Sequence, residues 1–232
     1  MMVHYKITGA VSYCPLLTRS TIMPKIVDTK SDFGKTSKQD KKIYVALLVG
    51  SAIALLASLV LSVEAIELAK NKDAILPCSI SEVLNCATVG SSDSASIFMG
   101  IPNSFFGMLT LPVMVTIAVA GLAGVRFPRW FMNMALLGAF LGVVFAIWMF
   151  YTSYVVIQVL CPWCLTLDVG MLFIAFAFWR YVALYNTLGL SEKTQNSLKA
   201  FSEKGFDTLV IFLIGIAVVI SIIFRFGDAL FL

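Results

Sequence analysis

The chain has 232 residues, of which 59% are apolar and only 13% carry charge. Soluble domains carry about 25% charged residues, so this chain lacks the polar surface that a water-soluble body of its size needs, and it reads as a membrane protein. The net charge is +4, and eight of the 17 Lys and Arg lie in the first 42 residues without an interleaved aromatic pattern. That distribution excludes a nucleic-acid surface and fits an inner-face tail that sets topology.

Residues 1–42 form this basic tail, rich in Gly, Pro, Ser and Thr and without a sustained helical period, and they are expected to be partly disordered. The tail carries the only histidine, His4, and Cys14, expected to be an ordinary free thiol. No apolar run lies near the start, so the first span is expected to do the targeting, and Met23 is an alternative first residue.

A bilayer core of about 30 Å needs about 20 apolar residues of helix. The uncharged run 43–63 supplies the first span and 104–125 the second, with Pro112 inside it. The stretch 130–167 is too long for one helix; Gln158 and Pro162 break it into spans at 130–155 and 161–179. A fifth span is expected at 208–224. The fold expected is an all-α membrane protein of five transmembrane helices. Residues 43–185 form a four-helix catalytic bundle with an outer loop at 64–103, followed by an inner loop at 186–207 and the fifth helix within 208–232. With the tail inside, 14 cations fall on the inner side and only Lys70, Lys72 and Arg225 on the outer, which orients the chain N-in and C-out. Cys78, Cys86, Cys161 and Cys164 then share the outer face.

Four thiols on the oxidising side are structural bridges, metal ligands or a redox relay. The seven-residue spacing of Cys78 and Cys86 is poor for a zinc knuckle, and no metal site is expected. Leu165, where haem attachment needs histidine, excludes that chemistry. A bridge between Cys161 and Cys164 would enclose only two residues, so it constrains the unfolded chain little and serves better as a two-electron couple. Pro162 suits the first turn of a helix, which puts Cys161 at the N-cap, where the helix end favours a thiolate. Ser79-x-x-Glu82 is a capping box that would open a short loop helix. One straight helix from 78 to 86 rises about 12 Å, too far for a Cys78–Cys86 bridge, so the loop is expected to change shape with redox state.

Cys78-x7-Cys86, then a serine, then Pro102-Asn103-Ser104-Phe105-Phe106-Gly107, then a membrane-boundary CxxC together resemble the vitamin K epoxide reductase family across residues 43–185. The likeness is to its bacterial disulfide-bond-forming branch without a fused thioredoxin domain. The resemblance implies that Cys78 and Cys86 take electrons from an extracytoplasmic thioredoxin-fold dithiol oxidase and that Cys161 and Cys164 are the active-site pair, with Cys164 beside a lipid quinone, menaquinone or ubiquinone. It implies that Ser92 lies near the quinone and that Asn103 hydrogen-bonds a quinone carbonyl. Vertebrate members have tyrosine where this chain has Asp168, which favours ordinary quinone reduction over epoxide reduction. About 50 residues follow the fourth span and hold no cysteine, so the partner is expected to be a separate protein.

Asp168 lies about 10 Å below Cys161 along the helix, and an acid at that depth is a functional candidate or a structural acid with a polar neighbour. Phe98, Phe105, Phe106 and Trp163 would line a quinone pocket, or else pack ordinarily. Trp130, Tyr151 and Tyr154 read as interfacial aromatics, Glu64 and Glu67 with Lys70 and Lys72 as a solvated helix end, and the small-residue runs at 50–52 and 121–124 as close helix contacts. The expectation is an inner-membrane, multi-pass thiol:quinone oxidoreductase with an extracytoplasmic active site, serving disulfide formation in exported proteins. The alternatives are quinone or quinone-epoxide recycling, and a scaffold or transporter with structural disulfides.

Overall fold

The computed structural model describes residues 38–71 and 74–231, with side chains as far as 227, all within the compact unit Gly34–Leu232. The readings of His4, Cys14, Met23, Lys72 and most of the basic tail lie outside the described residues. The chain order is α1 Lys38–Lys70, α2 Cys86–Gly90, a 3₁₀ turn Asp93–Ala95, α3 Asn103–Leu122, α4 Arg129–Tyr151 continued by a π-helical turn Thr152–Ile157, α5 Pro162–Tyr185, α6 Glu192–Glu203 and α7 Phe206–Phe231. No strand runs among the described residues, only isolated bridges. Five helices (α1, α3, α4 with its π turn, α5 and α7) are long and apolar enough to cross a membrane.

All five expected spans are present. The first is the most altered, because α1 continues past the apolar run to Lys70 and carries Glu64 with it. Lys70 in its last turn suits the negative helix end. The loop 186–207 is partly helical: α6 forms between Ser191 and Lys204, and the Gln195 amide donates to the Ala183 carbonyl at 2.5 Å, satisfying an end group of α5.

α1 is the central helix and packs most closely on α5 and α3; α4 packs on α5. In lipid such contacts rest on close approach and polar links rather than on hydrophobic expulsion. At the α1–α5 crossing a Cβ on Gly50 would lie 2.5 Å from Phe173 Cβ, and one on Gly170 would lie 2.7 Å from the Gly50 carbonyl oxygen. Only glycine fits either position. Toward α3, Ser58 donates to the Ser104 carbonyl at 2.6 Å. Leu47, Ala54, Ile117, Ile174 and Phe178 fill the core between these helices.

α3 and α4 barely meet. α7 is peripheral: 6% of its apolar window is buried, against 44% in α1 and α5. Two anchors hold it. At one end Arg180 pairs with Asp207 through Nε–Oδ2 at 2.6 Å and Nη2–Oδ1 at 3.1 Å, with Ser202 Oγ donating to the same carboxylate. At the other end Tyr154 Oη meets Ser221 Oγ at 2.8 Å, and Arg225 lies 4.9 Å from its ring centre. Tyr154 thus docks α7, its hydroxyl finding a partner on that helix.

Gly170→Val should cost about 1–3 kcal/mol by overpacking the α1–α5 crossing. A thermal unfolding scan in lipid nanodiscs checks this; an unchanged midpoint would contradict the packing described.

Candidate active site

The site is built by a short piece of backbone pairing. Leu160 N–H donates to the Val83 carbonyl at 2.8 Å, and Asn85 N–H donates to the Leu160 carbonyl at 3.0 Å. These bonds stitch the loop after α1 to the residues just before α5. Cys86 follows Asn85 on one side and Cys161 follows Leu160 on the other, so both sulfurs emerge from the same pair of rungs.

The local sequence explains the rest. The loop helix does not start at Ser79, as the capping-box reading expected. Asn85 is the cap, its Oδ1 accepting from Thr88 N–H at 3.1 Å, and the helix runs only over Cys86–Gly90. Ser79 instead donates to Asn85 Oδ1 at 2.8 Å and steadies the cap. With 78–85 non-helical, the Cα atoms of Cys78 and Cys86 come to 5.7 Å and the two residues are disulfide-bonded. Leu68, Leu76, Val89 and Cys161 bury this bridge.

Cys161 is the N-cap of α5, as Pro162 led one to expect, and its Sγ accepts from Cys164 N–H at 3.3 Å. Cys161 and Cys164 are both free thiols here. Cys161 Sγ lies 3.4 Å from Cys86 Sγ of the bridge. The Cys161 thiol titrates below the ordinary thiol value, first because the Cys164 side chain hydrogen-bonds it and then because the N–H groups of Cys164 and Trp163 point at it. Burial opposes the shift. The Cys161 sulfur, favoured toward the thiolate by the helix start, stands in van der Waals range of a disulfide sulfur.

Beside this pair, in the gap between α3 and α4, lies an apolar cavity of about 1280 Å³. Cys86, Cys161 and Cys164 line it, with Glu64, Asn103, Phe106 and Asp168. Phe106 packs edge-on against Phe98, another lining residue, at 5.2 Å between ring centres. Asn103 also fastens the loop, donating to the Ser94 carbonyl at 2.7 Å and accepting from Ile97 N–H at 3.3 Å. Ser92 and Trp163 stand outside the lining. Ser92 Oγ is spent on the Val89 carbonyl at 2.7 Å, and Trp163 packs against the disulfide cluster. Phe105 is likewise outside, whereas Ser91, Ala95 and Ser96 line the cavity near the position expected for Ser92.

Glu64 is the residue whose role the sequence reading missed. It is not solvated: it is only 7% exposed, and Oε1 lies 2.9 Å from Cys78 Sγ. Its helical spacing from Ala54, Ala57 and Leu68 on the buried stripe of α1 was the available signal.

A multi-helix membrane bundle that sets a disulfide and a second thiol pair along one wall of an apolar cavity defines a membrane oxidoreductase. The model of the vitamin K epoxide reductase family matches residues 45–179, and the chain belongs to that family. Membership makes it a membrane oxidoreductase of thiol and quinone chemistry. The match takes in all four cysteines and Asp168 and ends before α6 and α7. Among curated proteins none matches the chain.

Because the Cys161 value is lowered, its thiolate should persist as pH falls below about 8.5 and vanish only as pH passes through the lowered value. Cys164→Ala removes the Cys164 side-chain hydrogen bond and should move that midpoint upward. Ultraviolet thiolate absorbance against pH reads both, and an unmoved midpoint would refute the assignment.

Proposed function

We propose that the protein reoxidises a separate, extracytoplasmic thioredoxin-fold dithiol oxidase and passes the electrons to a lipid quinone, in the disulfide-forming branch of its family. It would sit in the inner membrane with its N-terminus inside, on the charge distribution of its loops. The observation that carries the reading is the 3.4 Å approach of Cys161 Sγ to the Cys78–Cys86 bridge at the wall of the apolar cavity.

The order of exchange follows from which sulfur faces which. Cys86 is the loop thiol beside Cys161, so Cys78 is the one left for the partner. A partner thiolate attacks Cys78 and frees Cys86. Cys86 attacks the oxidised active-site pair at Cys161, and Cys164 leaves as the thiolate. The partner's second thiol releases Cys78, which attacks Cys86, restores the loop bridge and expels Cys161 as a thiolate. Two electrons then reside on Cys161 and Cys164, the state of these cysteines in the structure. Exposed Ile75 and Ile80 flank Cys78 and offer the partner an apolar contact.

The cavity suits a quinone in size, in its apolar walls and in its position between two helices that leave a side gap toward lipid. A bound quinone supplies a two-electron, two-proton acceptor. Phe106 and Asn103 would hold its ring, Cys164 would face it, and Asp168 would hold or move a proton at its carboxylate oxygens. Menaquinone and ubiquinone both fit this description. Ser92 would act only through the Val89 turn, and Trp163 through the packing of Cys161.

The experiment mixes purified protein, a reduced thioredoxin-fold protein and quinone, and follows quinone absorbance. Wild type should consume quinone, and Cys164→Ser should abolish the signal. In Cys78→Ala the Cys86–Cys161 mixed disulfide should accumulate and be found by peptide mass spectrometry. Undiminished quinone consumption by Cys164→Ser would refute the relay.

A further inference from the structure

The Cys78–Cys86 bridge has a neighbour that exchange chemistry alone does not require. Glu64 Oε1 lies 2.9 Å from Cys78 Sγ, and the residue is 7% exposed. Its other oxygen, Oε2, is buried with no hydrogen-bond partner. A sulfur in a disulfide has no proton to donate. A carboxylate in this position would face that sulfur with neither oxygen satisfied, and burying an unpaired charge is costly. The contact is a hydrogen bond only if the carboxyl carries the proton and its O–H donates to Cys78 Sγ. Once the bridge opens the roles reverse: Cys78 regains an S–H, and an ionised Glu64 can accept from it.

We propose that Glu64 is the proton acceptor and donor for Cys78 in the exchange between the loop bridge and Cys161. This rests on the relay described above and adds a catalytic group to it. In the forward direction Cys78 S–H gives its proton to Glu64 Oε1, and its sulfur attacks Cys86 Sγ. The Cys78–Cys86 bond forms, the Cys86–Cys161 bond breaks, and the electron pair leaves on Cys161 as a thiolate. No proton or electron is unaccounted for, and no further reactant is needed. The reverse step protonates Cys78 from Glu64 as Cys161 attacks. The arrangement also limits charge: as Cys161 becomes an anion Glu64 loses its own charge, so the step adds no net charge beside the bridge.

The ionisable groups facing Glu64 among the described residues are Cys78 and Cys86 from the loop and Cys161 and Cys164 from the start of α5. α3 contributes none, since its sequence has no ionisable side chain. On α1 itself, Glu67 is turned outward and pairs with Lys70 at 3.1 Å. The titration that matters is therefore between one carboxyl and one thiol.

The test uses the full chain in nanodiscs with dithiothreitol as reductant and a water-soluble quinone as acceptor. Samples are quenched with acid and alkylated, and the Cys86–Cys161 disulfide is counted by mass spectrometry across the pH range. Glu64→Gln keeps the shape but cannot take a proton. At pH ~6.5 its exchange should be about 100-fold slower than wild type, with Cys86–Cys161 accumulating. The rate should rise about tenfold per pH unit as hydroxide takes over the removal of the Cys78 proton, and approach wild type at high pH. Recovery at high pH also shows that the variant is folded. Glu64→Asp, still a carboxyl, should keep the shallow wild-type profile. A Glu64→Gln protein with wild-type rate and profile and no trapped disulfide overturns the proposal. Should that variant fail to fold, an infrared difference spectrum of wild type decides: opening the loop bridge must remove a protonated-carboxyl band, and an unchanged band overturns the assignment. A wild type that never oxidises the dithiol would instead sink the relay itself.

Discussion

The two backbone hydrogen bonds between Leu160 and the 83–85 segment are the constraint on which the site depends. Each is worth only about 1 kcal/mol net, and their weight lies in position rather than energy. They join a loop after α1 to the lead-in of α5 and so bring together residues 75 positions apart in the chain. Without that stitch the loop disulfide would hang on its own short helix, with nothing to set its distance from Cys161. With it, three devices act at one point: a helix N-terminus that stabilises the Cys161 thiolate, a bridge it can attack, and a carboxyl on Cys78.

The bundle divides into a tight side and an open side. Glycines at the α1–α5 crossing let backbones touch, and Ser58 links α1 to α3, so the walls that carry Glu64, Cys161 and Asn103 are fixed relative to one another. The space between α3 and α4 is left unfilled, and the apolar cavity occupies it. The proposed relay makes two separate demands, rigidity where the sulfurs meet and openness for a lipid-soluble acceptor, and different helix pairs suit each. The π-helical turn that ends α4 serves both sides. Its Gln158 takes a left-handed backbone (φ 60°) that redirects the chain toward Leu160, while Tyr154 turns outward to dock α7.

α7 adds no lining residue to the cavity and lies outside the family match. Its anchors are nevertheless specific. The Arg180–Asp207 pair is bidentate and further tied by Ser202, and breaking a buried pair of this kind leaves an uncompensated charge. Tyr154 and Ser221 secure the other end within a few residues of the Cys161 lead-in. The fifth helix is thus fastened at one end to α5, which follows Cys161 and carries Cys164, and at the other to the π-helical turn that ends α4.

Much of this was legible in the sequence, for identifiable reasons. Span number, the break at Gln158 and Pro162, and the Cys161 N-cap all follow from local rules: apolar length, backbone restriction at proline and the geometry of a helix start. The cysteine pattern carried the chemistry, because a two-residue bridge is a better redox couple than a staple. What the sequence could not decide depends on distance across the bundle. The true loop cap is Asn85 rather than Ser79, because the pairing with Leu160 holds residues 80–84 out of a helix. Glu64 looked like part of a wet helix end and is buried, because the loop folds back over it and sets Cys78 on its carboxyl. Periodicity says which face of a helix is covered, but only the folded chain says by what.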